Sequence, residues 1–140
     1  MAENFKFLYN LNGTNEPPAV VLVPVAATQT LVVGDAVVLS SGKAAKGSGA
    51  FGRCLGIMAQ DSSSASAGTL VKIYATNPSQ VWRAVAASSA TSGVLGSRTY
   101  DLNSSQQVDP ADTTGGSIQI LKTDASATDV HILFTANELG

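Results

Sequence analysis

The sequence is poor in the groups that carry most protein chemistry. Its 140 residues hold one cysteine and one histidine. A lone cysteine forms no intramolecular disulfide. Cys54 and His131 together are too few for a structural Cys/His zinc site. Charged residues are 13% of the chain, against the ~25% usual in soluble domains. Lys+Arg number 8 and Asp+Glu 10, a net charge of −2. That balance argues against a nucleic-acid binder, which needs surplus Lys and Arg to displace counterions. It argues equally against a polybasic membrane binder. Aromatics are only 6%, little material for a sugar-binding surface of clustered rings. The most apolar run, Ala19 to Ala27, is broken by Pro24 and falls short of the ~18 residues that argue for a membrane helix. Met1-Ala2-Glu3-Asn4 lacks the basic and apolar regions of a secretory leader. Assembly in a cytoplasm is therefore expected, and the Asn-x-Ser/Thr matches at Asn12 and Asn103 carry no weight.

What is present is core material. Hydrophobic residues make up 44%, enough for one domain with a real core. They come in short clusters rich in Val, Ile, Thr and aromatics, separated by Ser/Gly/Ala-rich turns. That is strand length and strand composition. Val130, Ile132 and Phe134 alternate with His131 and Leu133. Val71, Ile73 and Ala75 alternate with Lys72 and Tyr74. Phe5, Phe7 and Tyr9 are expected to share a face. Val81 to Ala90 reads as a short helix or a strand, and the strand is preferred. The expected fold is all-β: a single compact antiparallel β-barrel or sandwich of short strands, spanning residues 19–140. Residues 1–18 are an extended N-terminal arm or a first strand, because Pro17 and Pro18 cannot join a central ladder. On the arm reading, deleting residues 1–15 leaves a folded barrel.

The second half echoes the first. At one constant offset, Leu39 matches Leu102, Ser41 matches Ser104, Ile57 matches Ile120 and Asp61 matches Asp124. A shorter turn then aligns Leu70–Asn77 with Val130–Asn137. Chance in a Ser/Ala/Gly-rich chain and a genuine repeat both fit. Two copies are too few for a solenoid and suit one barrel of two similar halves.

The candidate motifs for chemistry are weak. Gly47-Ser48-Gly49-Ala50-Phe51-Gly52 fits GxGxxG, but a strand-like segment follows where a phosphate loop needs a helix. His131 sits mid-strand with no nucleophile elbow in the chain. Ser40 or Ser41 with Lys43 falls in an apparent turn. Asp109-Pro110-Ala111-Asp112 is a turn signal. Asp124 and Asp129 flank one turn without the spacing of a calcium loop. Cys54 reads as a small core residue. Trp82 is an interface anchor or a core residue, with core preferred. No catalytic residue, metal or cofactor is expected, and an enzyme is not.

Three segments carry a resemblance. They are Val33-Gly34-Asp35-Ala36-Val37-Val38-Leu39, Leu55-Gly56-Ile57-Met58-Ala59-Gln60-Asp61 and Gly68-Thr69-Leu70-Val71-Lys72-Ile73. With Tyr100-Asp101-Leu102, Val108-Asp109 and Ile118–Leu121, they resemble small capsid decoration (cement) proteins of tailed bacteriophages over roughly residues 30–136. The motifs are general β-hairpin chemistry. The resemblance implies a β-barrel, a homotrimer, and binding to the major capsid protein on the outer surface of the virion. It also implies a terminal arm reaching a neighbour. Phe5, Phe7, Tyr9, Pro17, Pro18 and Trp82 are then the candidate interface residues. Another phage head or tail component, or a small ligand- or carbohydrate-binding module, remains the alternative.

Overall fold

Short β-branched runs bounded by glycine and serine turns form thirteen strands in a computed structural model, which describes residues 5–48, 52–88, 100–112, 115–123 and 128–139. No helix occurs among these residues. The expected all-β fold is observed, in a sandwich-like form. Val81–Val85 lies in a strand, as preferred.

The first half builds a five-stranded sheet. Its strands are β2 (Val20–Pro24), β4 (Ala36–Ser40), β5 (Lys43–Lys46), β6 (Gly56–Met58) and β8 (Leu70–Ala75), in the order β2-β8-β6-β4-β5. β3 (Thr30–Leu31) and β7 (Ser62–Ser63) form a small separate ladder. The second half contributes β9 (Gln80–Ala86), β10 (Asp101–Ser104), β11 (Gln107–Asp109), β12 (Ile118–Thr123) and β13 (Asp129–Phe134), in the order β10-β11-β9-β13-β12. β1 (Lys6–Asn10) adds to this second sheet by pairing antiparallel with β9.

Each sheet curls until its outer strands touch. A parallel bridge between Val25 and Ala44 joins the β2 end to β5. In the second sheet an antiparallel bridge between Tyr100 and Ile118 joins the β10 end to β12. The ladders are antiparallel except β9–β11, which is parallel.

The two halves repeat strand by strand. The pairs Leu39–Ala44, Met58–Ile73, Val21–Ile73 and Val25–Ala44 in the first half have counterparts in the second. These are Leu102–Val108, Ile120–Ile132, Trp82–Ile132 and Ala86–Val108. One set of equivalences satisfies every pair. The gapless echo in the sequence is right at Leu39 and Leu102. It slips by one residue afterwards, because Met58, not Ile57, corresponds to Ile120. A one-residue slip exchanges the two faces of a strand. The β10–β11 hairpin is one residue longer than β4–β5 and the stretch from β11 to β12 two residues shorter than that from β5 to β6, which leaves a net slip of one.

Two hydrophobic clusters follow from this arrangement. Val25, Leu31, Val37, Leu55, Met58, Val71 and Ile73 fill the first sheet. Trp82, Tyr100, Leu102, Ile118, Ile120, Ile132 and Phe134 fill the second. Ala36, Cys54 and Ile57 of the first half belong to the second cluster, so that core joins the halves. Each large buried side chain contributes ~1.5–3 kcal/mol by leaving water.

The N-terminal segment divides. Lys6–Asn10 is a strand in the second sheet, and Phe5 is only 2% exposed. Residues 11–18 form the connection to β2. A strand paired to β9 with a buried phenylalanine beside it is part of the fold. Of the two readings of residues 1–18, arm or first strand, the first-strand reading describes Lys6–Asn10.

Candidate functional site

Trp82 is the hub of an aromatic cluster because β9 carries it between β1 and β13. Phe7 lies opposite it in the β1–β9 ladder and Ile132 opposite it in β13. Phe7 meets the indole edge-on, with centroids 5.7 Å apart. Phe134 does so at 6.4 Å, and Tyr74 of β8 lies tilted at 6.5 Å. Phe5 packs on Phe134 at 5.4 Å. Such pairs add ~0.5–1.5 kcal/mol each beyond burial.

Beside this cluster lies an apolar cleft of about 280 Å³. Phe5, Lys6 and Phe7 form one bank. Pro17, Pro18, Val33 and Gly34 form the other. Ile57, Met58, Tyr74 and Trp82 complete the lining. The prolines contribute rigid apolar surface, since a fixed φ leaves them few conformations to lose. Five of the six candidate interface residues therefore line one cleft. The sixth, Tyr9, does not. A β-bulge between Phe7 and Tyr9 breaks the alternation, and Tyr9 stands 40% exposed. The expected shared face of Phe5, Phe7 and Tyr9 is corrected there. Phe5 and Trp82 are 2% and 1% exposed. They are buried side chains that line the cleft from within the core.

The cleft is held open by a turn that sequence reasoning passed over. Gly34 has φ +93°, a left-handed conformation that favours glycine. Its carbonyl accepts from Phe5 N at 3.1 Å, and its own N–H donates to Met58 O at 2.9 Å. Next to it, the buried Asp35 carboxylate accepts from Val32 N at 2.9 Å, Ser105 Oγ at 3.1 Å and Gln106 Nε2 at 2.8 Å. The Gly-Asp dipeptide was visible in the sequence. Its partners in the other half were not.

Trp82 Nε1 is buried and has no hydrogen-bond partner among the described residues. A buried donor without an acceptor costs about 1–3 kcal/mol. The edge-on rings around it offer only weak N–H···π compensation.

The other candidate residues lie apart. Cys54 is fully buried, and its thiol donates to Gly56 O at 3.6 Å. Desolvation pushes its pKa up to about 12, partly offset by hydrogen bonds from the Thr76 side chain and the Gly56 backbone. His131 lies on β13, as its strand setting predicts. Desolvation and the Lys122 charge hold its pKa down, and Asp129 opposes them. Ser40 and Ser41 stand exposed on the β4–β5 turn before Lys43. Asp109 caps its own turn through Ala111 N at 3.0 Å. The segment after Gly52 leads to strand β6 and to no helix, so the glycine-rich stretch lacks the context of a phosphate loop. Its residues 49–51 lie outside the described residues, as does Asp124. Among the described residues, no three His, Cys, Asp or Glu side chains gather as metal ligands.

A second surface emerges from the internal repeat. On β2 and β8, Val20, Leu22 and Leu70 are each more than half exposed. The repeat equates Leu22 with Arg83 and Leu70 with Asp129. Arg83 and Asp129 form an ion pair. On this outward face the first half thus sets Leu22 and Leu70 beside the exposed Lys72, where the second half sets the Arg83–Asp129 pair beside His131. No protein-family model matches the chain, and no curated protein is significantly similar to it.

Proposed function

We propose that the protein is a virion structural protein: a capsid decoration protein that binds the outer surface of a tailed-phage capsid lattice and stabilises it. The observation that carries this reading is the asymmetry of the repeat. Leu22 and Leu70 stand exposed where the second half places an ion pair. An exposed apolar face on an otherwise ordinary soluble fold marks an interaction surface. The resemblance to decoration proteins adds support, since its three motifs fall on the neighbouring strands β4, β6 and β8.

The partner in this reading is the major capsid protein, and the protein acts as a homotrimer. Modest individual contacts suffice, because many copies act together on a symmetric shell. The ligand- or carbohydrate-binding alternative calls for a cluster of exposed rings, and among the described residues Tyr9 is the one aromatic in the set of large exposed hydrophobic residues.

Two measurements test the proposal. Light scattering on a sizing column is expected to give three times the chain mass. Co-sedimentation with expanded capsids is expected to be saturable and lost in the Leu22→Arg, Leu70→Asp double variant. A folded protein that never sediments with capsids sinks the proposal.

A further inference from the structure

We infer that the free edge of β2, Val20–Leu22, pairs antiparallel with the same segment of a second copy of the chain, about a two-fold axis at Val21. The inference stands on the strand edge and on the internal repeat. It does not rest on the decoration reading, and it leaves the outward side chains of Leu22 and Leu70 uncovered.

Three observations carry it. The first is the edge itself. β2 is the outer strand of its sheet. Ala75 N donates to Ala19 O and Val25 N donates to Thr69 O, both at 2.9 Å. Backbone groups alternate in direction along an antiparallel strand, so Ala19, Val21, Val23 and Val25 bond to β8. Val20 and Leu22 direct their N–H and C=O groups off the sheet, and both are more than half exposed. Beyond Pro24 the edge is closed by β5: Val25 bridges Ala44, and Ala26 N donates to Ala44 O at 2.9 Å.

The second is the repeat, which holds the same edge filled. Its equivalences extend to single bonds. Val25 N to Thr69 O and Ala26 N to Ala44 O recur as Ala86 N to Thr128 O and Ala87 N to Val108 O. Val20 and Leu22 then correspond to Val81 and Arg83 of β9. There β1 lies antiparallel along the edge, with Tyr9 opposite Val81 and Lys6 opposite Arg83. Among the described residues no strand does this for β2. Val21, the counterpart of the buried Trp82, is left half-buried.

The third is the register the segment allows, and it selects a second copy. Natural edges are guarded by charge or by proline within the strand. Ala19–Val23 carries no charge, and Pro18 and Pro24 stand at its two ends. Neither has an N–H. With Val20 opposite Leu22 of the second copy, every free group of both residues is paired, and Pro18 stands opposite Pro24. A shift of two residues either way sets a proline opposite Val20 or Leu22, whose carbonyl then has no donor. The segment is thus complementary to itself, as a two-fold contact requires. Such a contact is compatible with a three-fold assembly through another surface. The merged sheet sets the Leu22–Leu70 faces of both copies side by side.

The test uses the full-length ¹⁵N-labelled protein over a range of concentration. The Val20 and Leu22 amides are expected to shift along one saturation curve and to exchange more slowly with solvent as concentration rises. The Val21 and Val23 amides, already bonded to β8, are expected to be protected throughout. A mixture of ¹³C-labelled and unlabelled protein is expected to give an intermolecular Hα–Hα contact at Val21, since residues of a non-hydrogen-bonded pair lie ~4.5 Å apart at Cα. That contact decides independently of any variant. Val20→Pro removes only an outward donor, which an edge strand tolerates. It is expected to keep the fold and lose the concentration dependence, while Val20→Thr keeps both. Val20 and Leu22 amides that stay unprotected and unmoved up to the solubility limit overturn the inference. So does self-association that survives Val20→Pro or lacks the Val21 contact. Protection that appears only on adding capsids assigns the edge to a capsid strand and overturns the second copy.

Discussion

The carboxylate of Asp35 accepts a hydrogen bond from Ser105 Oγ, 3.1 Å away and 70 positions along the chain. Both residues are buried. The same carboxylate also ties Val32 N and Gln106 Nε2, and the adjacent Ala36 N donates to Ser105 O at 2.8 Å. One buried side chain thus fastens the turn before β4 to the β10–β11 turn. It joins the two repeats at the place where Gly34 shapes the cleft.

Replacing Asp35 by alanine leaves three donors short of an acceptor in a buried setting. Asp35→Ala is expected to cost about 3 kcal/mol, from hydrogen bonds to a charged acceptor worth ~1.5–3 kcal/mol each with partial rescue by water. Asp35→Asn keeps one acceptor oxygen and is expected to cost less than half as much. Urea unfolding midpoints at constant m-value check both. A neutral Asp35→Ala would show that the turns are held by packing alone.

Two glycines separate two kinds of constraint. Gly34→Ala forces a side chain into a left-handed backbone and is expected to cost ~1–2 kcal/mol. Gly56 is constrained by space: an added Cβ would stand 2.5 Å from Tyr74 O and 2.7 Å from Ile73 Cδ1. Because the first contact is backbone, Gly56→Ala is expected to cost more, ~3 kcal/mol or above, by prising β6 from β8. Thermal melts of the two variants rank them, and the reverse order would refute the reading of Gly56.

The strands were legible in the sequence where alternation is strict, as in Val130-His131-Ile132-Leu133-Phe134. The repeat was legible too, because hairpin residues such as Leu39 and Leu102 occupy the same place in both halves. Three features were not. The bulge that turns Tyr9 outward leaves no mark in a run of apolar residues. The parallel β9–β11 pairing and the Asp35–Ser105 bond depend on distant segments meeting, which local pattern does not encode. The one-residue slip between Ile57 and Ile120 arose because both Ile57 and Met58 are apolar and buried. Composition alone could not say which of them faces into the first sheet. Of the candidate site, the aromatic and proline residues were visible singly, and their convergence on one cleft came only from the fold.

Phe5 tests whether the N-terminus is structural. Phe5→Ala removes a ring packed on Phe134 and is expected to cost ~3–4 kcal/mol. Deleting residues 1–10 removes β1 as well, uncovers Trp82, and is expected to unfold the protein or leave it expanded. Near-ultraviolet circular dichroism and fluorescence of the sole tryptophan read this directly. A truncated protein with unchanged spectra and midpoint would restore the arm interpretation.

Cys54 gives stability a pH dependence of known sign. Its folded pKa is raised from 9.0 to about 12 by burial. The unfolded chain therefore releases the thiol proton first as pH rises. The stabilisation is fully present below pH 9 and is lost as pH climbs from 9 toward 12. Lysines and tyrosines titrate in the same window, so the informative quantity is the difference between the protein and Cys54→Ala. The variant is expected to start less stable at pH 8 and to lose less on going to pH 11. A thiol reagent at pH 8 is expected to label Cys54 only on unfolding, since the thiolate is the nucleophile. Parallel pH curves, or rapid labelling of the native protein, would show that Cys54 reaches solvent.

The repeat supplies its own replacement for the exposed face. Leu22 and Leu70 stand where Arg83 and Asp129 stand in the second half, and the ladder positions around them match. Leu22→Arg with Leu70→Asp therefore copies an arrangement that the same backbone already accommodates. Both leucines are more than half exposed, so little core burial is lost and surface changes of this kind usually stay within ~0.5 kcal/mol. The double variant is expected to keep its unfolding midpoint and gain solubility. If this face is an interaction surface, the variant also loses attachment to capsids, while a double variant on β5, Lys43→Ala with Lys46→Ala, keeps it. Retained attachment with the face made ionic would move the contact elsewhere, leaving the asymmetry between the repeats without a binding role.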